Sequence, residues 1–181
     1  MKIVQGDQVP VERGLTHRGG TIHFRYLMEG EPGILGNFQL SIGENGGDFF
    51  SHRHRHNFEQ VRYQLAGTLD FGRNGKMTPG MVGYFPEGVY YGPQTQTADQ
   101  DPPPETAVLQ CGGASGSGYL SRDEVRAGMA ALKQLGEFKD GVFRRRADVP
   151  GKRNMDGFQA IWEQVNGRPM TYPNRAIPGR S

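Results

Sequence analysis

Two histidines, His54 and His56, stand two positions apart in a segment that reads as a β-strand. Alternate residues of a strand share a face, so the two imidazoles lie side by side and converge on one point. Imidazole pairs favour Zn, Fe, Ni or Cu as ligated metals, and a histidine also transfers protons near neutral pH. After a turn at Gly67, a later strand carries Tyr91, a further group for either chemistry.

The segment from His54 to Gly67 resembles the first motif of the cupin superfamily. That motif reads His-x-His, three or four residues, Glu, six residues and Gly. Counting back from Gly67 places Gln60 at the position of the glutamate. Both histidines of the motif are therefore present, and an amide replaces its carboxylate.

A later segment resembles the second cupin motif, which reads Gly, five residues, Pro-x-Gly, two residues and His. Gly80 is followed at that spacing by Pro86–Gly88, and Tyr91 stands in place of the histidine. Thr95 stands in place of the closing asparagine of the family. The resemblance covers roughly residues 35–112.

The resemblance implies a single antiparallel β-barrel of the jelly-roll type that holds a divalent transition metal, Fe, Zn, Ni or Cu. His54 and His56 would be metal ligands and Gln60 a weaker one. Two imidazoles, an amide oxygen and a phenol suit a divalent ion poorly unless Tyr91 ionises. Acid–base chemistry by a histidine and Tyr91, without metal, is the alternative.

A second register of the first motif stays open. His52 lies on the same strand face as His54, and together with Glu59 they would keep a carboxylate ligand. At ~3.3 Å per residue, His52 and His56 are ~13 Å apart and cannot share one ion. We favour the first register, because its spacing to the turn glycine matches the motif.

In the favoured register, Arg62 and Gln64 share the face of Gln60 and point into the pocket. A buried arginine needs a partner. Arg62 is paired either with an internal carboxylate such as Asp70 or with the carboxylate of a substrate, which its planar fork binds bidentately. We therefore predict Tyr91, Arg62 and Gln64 as catalytic residues and, under the second alternative, an anionic small-molecule substrate.

The opposite face of the same strand carries Val61, Tyr63 and Leu65. These side chains point away from the pocket, so another segment or a second subunit must cover them. Chains that resemble cupins commonly dimerise through such surfaces, and a homodimer is the expectation here.

Short alternating segments separated by glycine-rich turns predict an all-β sandwich or barrel. Ser121 and Glu124 form a capping box for a first helix, and an apolar stripe over residues 158–165 predicts a second. The sequence therefore predicts a cupin-like barrel with an N-terminal arm over residues 1–120. Residues 121–181 form a helical C-terminal extension packed on the same domain.

Composition argues against several classes of protein. The 181 residues include 21 basic and 19 acidic ones, for a formal net charge of +2. The basic cluster Arg144–Arg146 is short, so nucleic-acid binding has little support. One cysteine, no signal-peptide core and no apolar run of ~20 residues predict a soluble cytoplasmic protein without a disulfide or a membrane span.

The function predicted from these features is a small-molecule enzyme of the cupin type that acts on an organic acid or carbonyl compound. Dioxygenase, isomerase, decarboxylase and lyase activities all remain open, because a fold does not decide a reaction. The competing class is a non-catalytic module that binds a small ligand in the same pocket. Turnover of a carbonyl substrate would separate the two classes.

Overall fold

The structure is a computed structural model, and it describes residues 1–14, 17–31, 37–97, 99–113, 115 and 119–172. In chain order the strands are β1 (Glu12–Arg13), β2 (Ile22–Glu29), β3 (Phe38–Asn45), β4 (Phe50–Ser51), β5 (Phe58–Ala66), β6 (Leu69–Asp70), β7 (Lys76–Met77), β8 (Val82–Phe85), β9 (Gln94–Thr95), β10 (Glu105–Gly112), β11 (Gly136–Lys139), β12 (Val142–Arg145) and β13 (Asn154–Asp156). The helices are α1 (Arg122–Lys133) and α2 (Gly157–Asn166), with short 3₁₀ turns at Gly6–Gln8 and Gly72–Asn74.

The strands form three antiparallel sheets. The largest has the order β1-β2-β3-β10-β5-β8, the second β4-β9-β6-β7, and the third β11-β12-β13. The N-terminal arm joins the largest sheet through β1, where Glu12 pairs with Phe24. Every strand of the second sheet is two residues long. Within the described residues the sheets stay separate, so the expected closed barrel is found as an open β-sandwich.

A cavity of about 190 Å³ lies between the first two sheets. Gln60 of β5 and Gln110 of β10 line it from the large sheet, and Leu69 of β6 and Gln94 of β9 line it from the second. Ile161 of α2 also reaches it. The interior of the sandwich is therefore a hollow lined by polar groups as well as apolar side chains, and Ile161 belongs both to this lining and to the main apolar core.

Strand β5 has two faces of opposite character. Its even-numbered residues from Phe58 to Gln64 are buried. Its odd-numbered residues Val61, Tyr63 and Leu65 are 40–44% exposed. The facing is the one that the favoured motif register requires, with polar side chains directed inward.

The C-terminal region supplies the largest apolar core. The predicted capping box of α1 is confirmed, since Ser121 and Glu124 bond reciprocally, and α2 ends at the left-handed Gly167. The region also contains the β11–β13 sheet, so it is not purely helical, and residues 173–181 lie outside the described part. The apolar core of this region buries Phe58, Met129, Leu132, Phe143, Phe158, Ile161 and Trp162.

No described helix is both long and apolar enough to cross a membrane.

The outward face of β5 generates a testable prediction. Together with the adjoining β8 segment it exposes Val61, Tyr63, Leu65, Met81, Val82 and Tyr84. A contiguous apolar sheet face of this kind marks an interaction surface, so we expect a homodimer formed through it. The substitution Leu65→Glu should give a monomer in light scattering, because an unpaired carboxylate resists burial.

The matched control for this prediction is Ala130→Glu, on the exposed side of α1. It introduces the same charge away from the sheet and should leave the dimer intact. A wild-type chain that is monomeric at micromolar concentration would contradict the expected assembly.

Candidate active site

Four polar side chains converge on the hydroxyl of Tyr91. Its oxygen lies 3.1 Å from Nε2 of His54 and 2.9 Å from Nδ1 of His56. It lies 3.2 Å from Oε1 of Gln60 and 3.0 Å from Nη2 of Arg62. Each of the five residues is at most 6% exposed. The structure thus brings five of the six predicted site residues into one buried cluster.

Local structure explains this convergence. An isolated antiparallel bridge joins the backbones of His54 and Tyr91, with N–O distances of 3.1 and 3.0 Å. The His56 ring stacks on Phe58, with centroids 4.5 Å apart and planes inclined by 9°. Gln60 follows on β5, two residues after Phe58 and on the same face. The bridge and β5 together hold both histidines against the phenol.

The hydrogen-bond partners assign the protons of the cluster. Nδ1 of His54 lies 2.7 Å from the carbonyl oxygen of His52, which can only accept, so His54 carries its proton on Nδ1. Nε2 of His54 is then an acceptor for the hydroxyl proton of Tyr91. The phenol oxygen accepts from Arg62 and from Nδ1–H of His56. Nε2 of His56 keeps a free lone pair, with no hydrogen-bond partner among the described residues.

Burial controls the charge state of these groups. It lowers the pKa of His54 well below its ordinary value, with Arg18 adding to the effect. Burial also lowers the pKa of His56, and His54 adds to it. Burial raises the pKa of Tyr91, although the nearby Arg62 opposes the rise. Both imidazoles and the phenol are therefore neutral at neutral pH, and Arg62 carries the charge of the cluster.

Arg62 is not paired with an internal carboxylate. Asp70, the candidate from the sequence, instead lies 3.4 Å from Lys76, and no described carboxylate forms an ion pair with Arg62. The guanidinium stacks over Phe85 at 4.4 Å from the ring centroid. Nη2 bonds both Gln60 and Tyr91, while Nε is buried without a partner. Part of the guanidinium fork is thus unused by the protein.

Arg62 lines the cavity, and the lining as a whole is basic. The described lining contains one carboxylate, Glu12, and five arginines: Arg13, Arg18, Arg62, Arg122 and Arg126. Arg122 is 2.7 Å from Glu12 and 3.1 Å from Glu29 in ion pairs. Cationic walls around a small cavity concentrate the positive potential inside it. The cavity therefore favours an anionic ligand.

Gln64 does not belong to the cluster. It is fully buried, accepts a bond from Thr106 at 2.9 Å and donates to the carbonyl of Ala66 at 2.6 Å. The expectation that Gln64 lines the pocket with Arg62 is corrected, because β5 carries it beyond the residues that line the cavity, and its catalytic role stays a prediction. Tyr91 and His54 also stand outside the lining, behind His56 and Arg62, which belong to it.

The alternative register does not assemble a site. Nε2 of His52 lies 3.1 Å from a carboxylate oxygen of Asp156, and Glu59 lies on the outer face, where it accepts a bond from Tyr84. The sequence did not indicate that Asp156 contacts His52. Its capping bond to the Gln159 backbone is nevertheless a recognisable helix start. Only the tertiary structure places it against His52.

His17 is a second residue that sequence reasoning missed. It lines the cavity from the N-terminal arm, next to Arg18. Burial, aided by Arg18, lowers the pKa of His17 to about 3. The surrounding arm is glycine-rich and has no hydrophobic period, so no local signal marked it.

The residues present do not fit a divalent metal. The hydroxyl of Tyr91 occupies the point on which His54, His56 and Gln60 converge, and an ion there would have to displace it. Nη2 of Arg62, 3.0 Å from that point, would repel a cation. No three His, Cys, Asp or Glu side chains in the described part of the chain are grouped to hold an ion. The predicted metal ligands form a hydrogen-bonded cluster instead.

Comparison with known proteins adds information on the fold. No model of a known protein family matches the sequence, and no curated protein matches it. An RmlC-like cupin protein from Ralstonia eutropha superposes with a TM-score of 0.52 at 16% identity, over 61% of this chain and 68% of that one. The polyketide cyclase RemF from Streptomyces resistomycificus gives 0.51 at 21% identity, over 70% of this chain and 93% of that one. At these identities the likeness is one of fold.

The depressed histidine pKa values predict acid sensitivity. Below about pH 6.5 the unfolded chain protonates His17, His54 and His56 while the folded chain does not. This stability is thus present above pH 6.5 and lost as the pH falls. Three protons taken up on unfolding give a slope of about 4.1 kcal/mol per pH unit. Urea denaturation at pH 7, 6 and 5 measures it.

In the same experiment His56→Gln should remove about one of these protons. A free energy of unfolding that does not vary between pH 5 and 7 would contradict neutral buried imidazoles.

The poor fit to metal also predicts an outcome. Wild-type protein purified without a tag and dialysed against zinc should retain far less than one equivalent by elemental mass spectrometry. The double variant Gln60→Glu, Tyr91→His restores the ligand types of the family motifs and should retain zinc. Adding His56→Ala to it should remove the zinc again. Stoichiometric zinc in the wild type, lost in His54→Ala, would show that the phenol yields to an ion.

Proposed function

We propose that this chain, which has the cupin fold, is a small-molecule enzyme that acts on an organic anion bearing a carbonyl group. Its reaction would be proton transfer next to the carbonyl, as in isomerases and lyases, without a metal. A carboxylate of the substrate would bind Arg62, and His56 would move the proton. The observation that carries the proposal is a buried guanidinium that lines a cavity and has no carboxylate partner among the described residues.

The energetics of Arg62 support an anionic ligand. A buried charge without a counter-charge is costly, and Phe85, Tyr91 and Gln60 compensate it only in part. A carboxylate at the unused N–H groups would complete the pairing through charge-assisted bonds. A cavity of about 190 Å³ limits the ligand to a small molecule.

The chemistry of the cluster supports proton transfer. The free lone pair on Nε2 of His56 would take a proton from carbon, and the electron pair would move onto the carbonyl oxygen to give an enolate. The phenol of Tyr91 would hold Nδ1 of the resulting imidazolium. Return of the proton to another atom completes an isomerisation, and departure of a leaving group completes an elimination.

The bound anion would also raise the basicity of His56. In the free protein, burial makes His56 a weak base, because it lowers the pKa of the imidazole. A carboxylate in the cavity adds negative charge nearby and raises that pKa. Binding and proton abstraction are thereby coupled, and catalysis would start only when the anion is present.

The alternative function is a non-catalytic module that binds the same class of anion. One observation favours it: Tyr91 and His54 do not line the cavity, so His56 is the one cluster residue in contact with it that has a free basic atom. Arg62 has the same role in both functions. Proton exchange on a bound ligand distinguishes them.

The role of Arg62 predicts a binding defect. Small 2-oxo and 3-oxo acids, tested by calorimetry, should bind the wild type, and Arg62→Met should weaken binding by about 30-fold, which corresponds to ~2 kcal/mol for a charge-assisted pair. The control Arg144→Met removes an exposed arginine of the basic triplet and should keep wild-type affinity. Equal affinities in Arg62→Met and the wild type would remove the main support for the anion site.

The role of His56 predicts loss of chemistry with retention of binding. In D₂O the wild type should exchange the proton next to the carbonyl of a bound oxo acid, as followed by proton NMR. His56→Gln should slow this exchange by about 100-fold, the usual size of a general-base contribution, at nearly unchanged affinity. Tyr91→Phe should slow it less and keep the fold. Tight binding without exchange in the wild type would favour the non-catalytic module.

A further inference from the structure

Three glutamines form a hydrogen-bonded ladder across the large sheet. Gln60 on β5 donates from Nε2 to Gln110 on β10 at 2.9 Å. Gln110 donates to Gln39 on β3 at 2.6 Å, and Gln39 donates to the carboxylate of Glu29 on β2 at 2.9 Å. The strand register places each pair directly opposite. The ladder therefore runs across the sheet from the site on β5 to Glu29 at the end of β2.

The two ends of the ladder determine its direction. Arg62 has only donors, and its Nη2 donates to Oε1 of Gln60 at 2.7 Å. Glu29 has only acceptors, and its second oxygen is bonded by Arg122. Between a donor-only and an acceptor-only group, every amide must turn its oxygen toward Arg62 and its nitrogen toward Glu29. The three amide dipoles are thus aligned, with their negative ends toward the guanidinium.

We propose that this ladder stabilises Arg62 in place of an adjacent counter-charge. Aligned amides present negative oxygen to the buried cation, and the ladder ends roughly 14 Å away, three strand spacings from Gln60, on Glu29, whose carboxylate also pairs with Arg122. Glu29 is partly solvated, with 32% of its side chain exposed. Gln110 and Gln39 are positioning residues that act on the site through Gln60.

The ladder solves a conflict at the site. A carboxylate placed directly against Arg62 would stabilise it but would occupy the groups that a ligand needs. Amide dipoles stabilise the cation from one side and leave Nε and the rest of the fork for the ligand. Polarised chains of hydrogen bonds strengthen one another in a medium of low dielectric constant. This inference rests on the proposed role of Arg62 as the ligand anchor.

Two substitutions at Gln110 should have opposite effects. Gln110→Leu interrupts the dipole chain, while Arg62 still holds Gln60 in place. The field of Arg62 becomes stronger, so pyruvate should bind severalfold more tightly and the pKa of Tyr91 should fall. Gln110→Glu puts a full negative charge near Arg62. Pyruvate should then bind about tenfold more weakly, and the pKa of Tyr91 should rise.

Protonation of the new carboxyl in Gln110→Glu provides an internal rescue. A neutral carboxyl group has one donor and one acceptor, as the amide does, so at low pH the ladder should re-form. The ratio of wild-type to variant affinity for pyruvate should then return toward one. A residue with a packing role only would show no such pH-dependent recovery.

The readouts are pyruvate affinity by calorimetry and the titration of the Tyr91 ring carbon by NMR, assigned with Tyr91→Phe. The other charged or titratable groups near Tyr91 are Arg18, Asp156 and the two neutral histidines, and they are the same in all variants. A suitable control is Gln100→Leu, which removes a glutamine that bonds Thr68 outside the cavity. It should move neither readout.

The proposed role of the ladder would be wrong if pyruvate affinity and the Tyr91 pKa changed in the same direction in Gln110→Leu and Gln110→Glu. It would also be wrong if neither changed more than in Gln100→Leu. If Gln110→Leu fails to fold, Gln39→Leu cuts the chain one rung further from the site and should give a smaller shift of the same sign. None of these measurements needs turnover. A protein that binds pyruvate but performs no proton exchange would refute the catalytic proposal and leave the ladder supported.

Discussion

The burial of one guanidinium without an adjacent carboxylate is the constraint on which the rest of the site depends. Arg62 would be too costly in an apolar interior, and its neighbours each reduce that cost. Phe85 offers a ring face, Tyr91 and Gln60 offer oxygen atoms, and the amides beyond Gln60 lead to Glu29. Polar side chains therefore line part of the sandwich interior beside apolar ones such as Phe24, Phe49 and Val108, because these polar groups require partners that close apolar packing would not supply.

The hydroxyl of Tyr91 explains how the segments that resemble the two cupin motifs are held together here without the metal ligands of those motifs. A histidine at that position would point a lone pair at an ion. A phenol instead contributes one donor and an acceptor oxygen, and the cluster provides the matching groups. His54 accepts its proton, while Arg62 and His56 donate to its oxygen. Side chains from both motif segments therefore still converge on one point, and the hydroxyl oxygen of Tyr91 occupies it.

Strand β5 shows how a single element serves two purposes. Its inward side chains form the site and the first rung of the ladder, and its outward ones form an apolar face that the single chain leaves exposed. An amphipathic reading alone would have turned Val61, Tyr63 and Leu65 inward, since apolar residues usually face the interior. The need to gather polar groups around the cavity reverses that facing. The main apolar core, between the C-terminal helices and Phe58, adds further apolar burial beside the cavity.

The sequence by itself determined the cupin-like strand pattern, both helices with the Ser121 capping box, and the inward facing of His54, His56, Gln60 and Arg62. These depend on local spacing, which strand and helix periods convert directly into shared faces. Tertiary structure alone decided that the Tyr91 hydroxyl occupies the point where both histidines converge, that Asp70 pairs with Lys76 and not with Arg62, and that Gln64 lies beyond the cavity. It also aligned Gln39, Gln110 and Gln60, which are far apart in the chain. Contacts of this kind depend on strand register and sheet order, which pairing across the whole sandwich sets and no local pattern records.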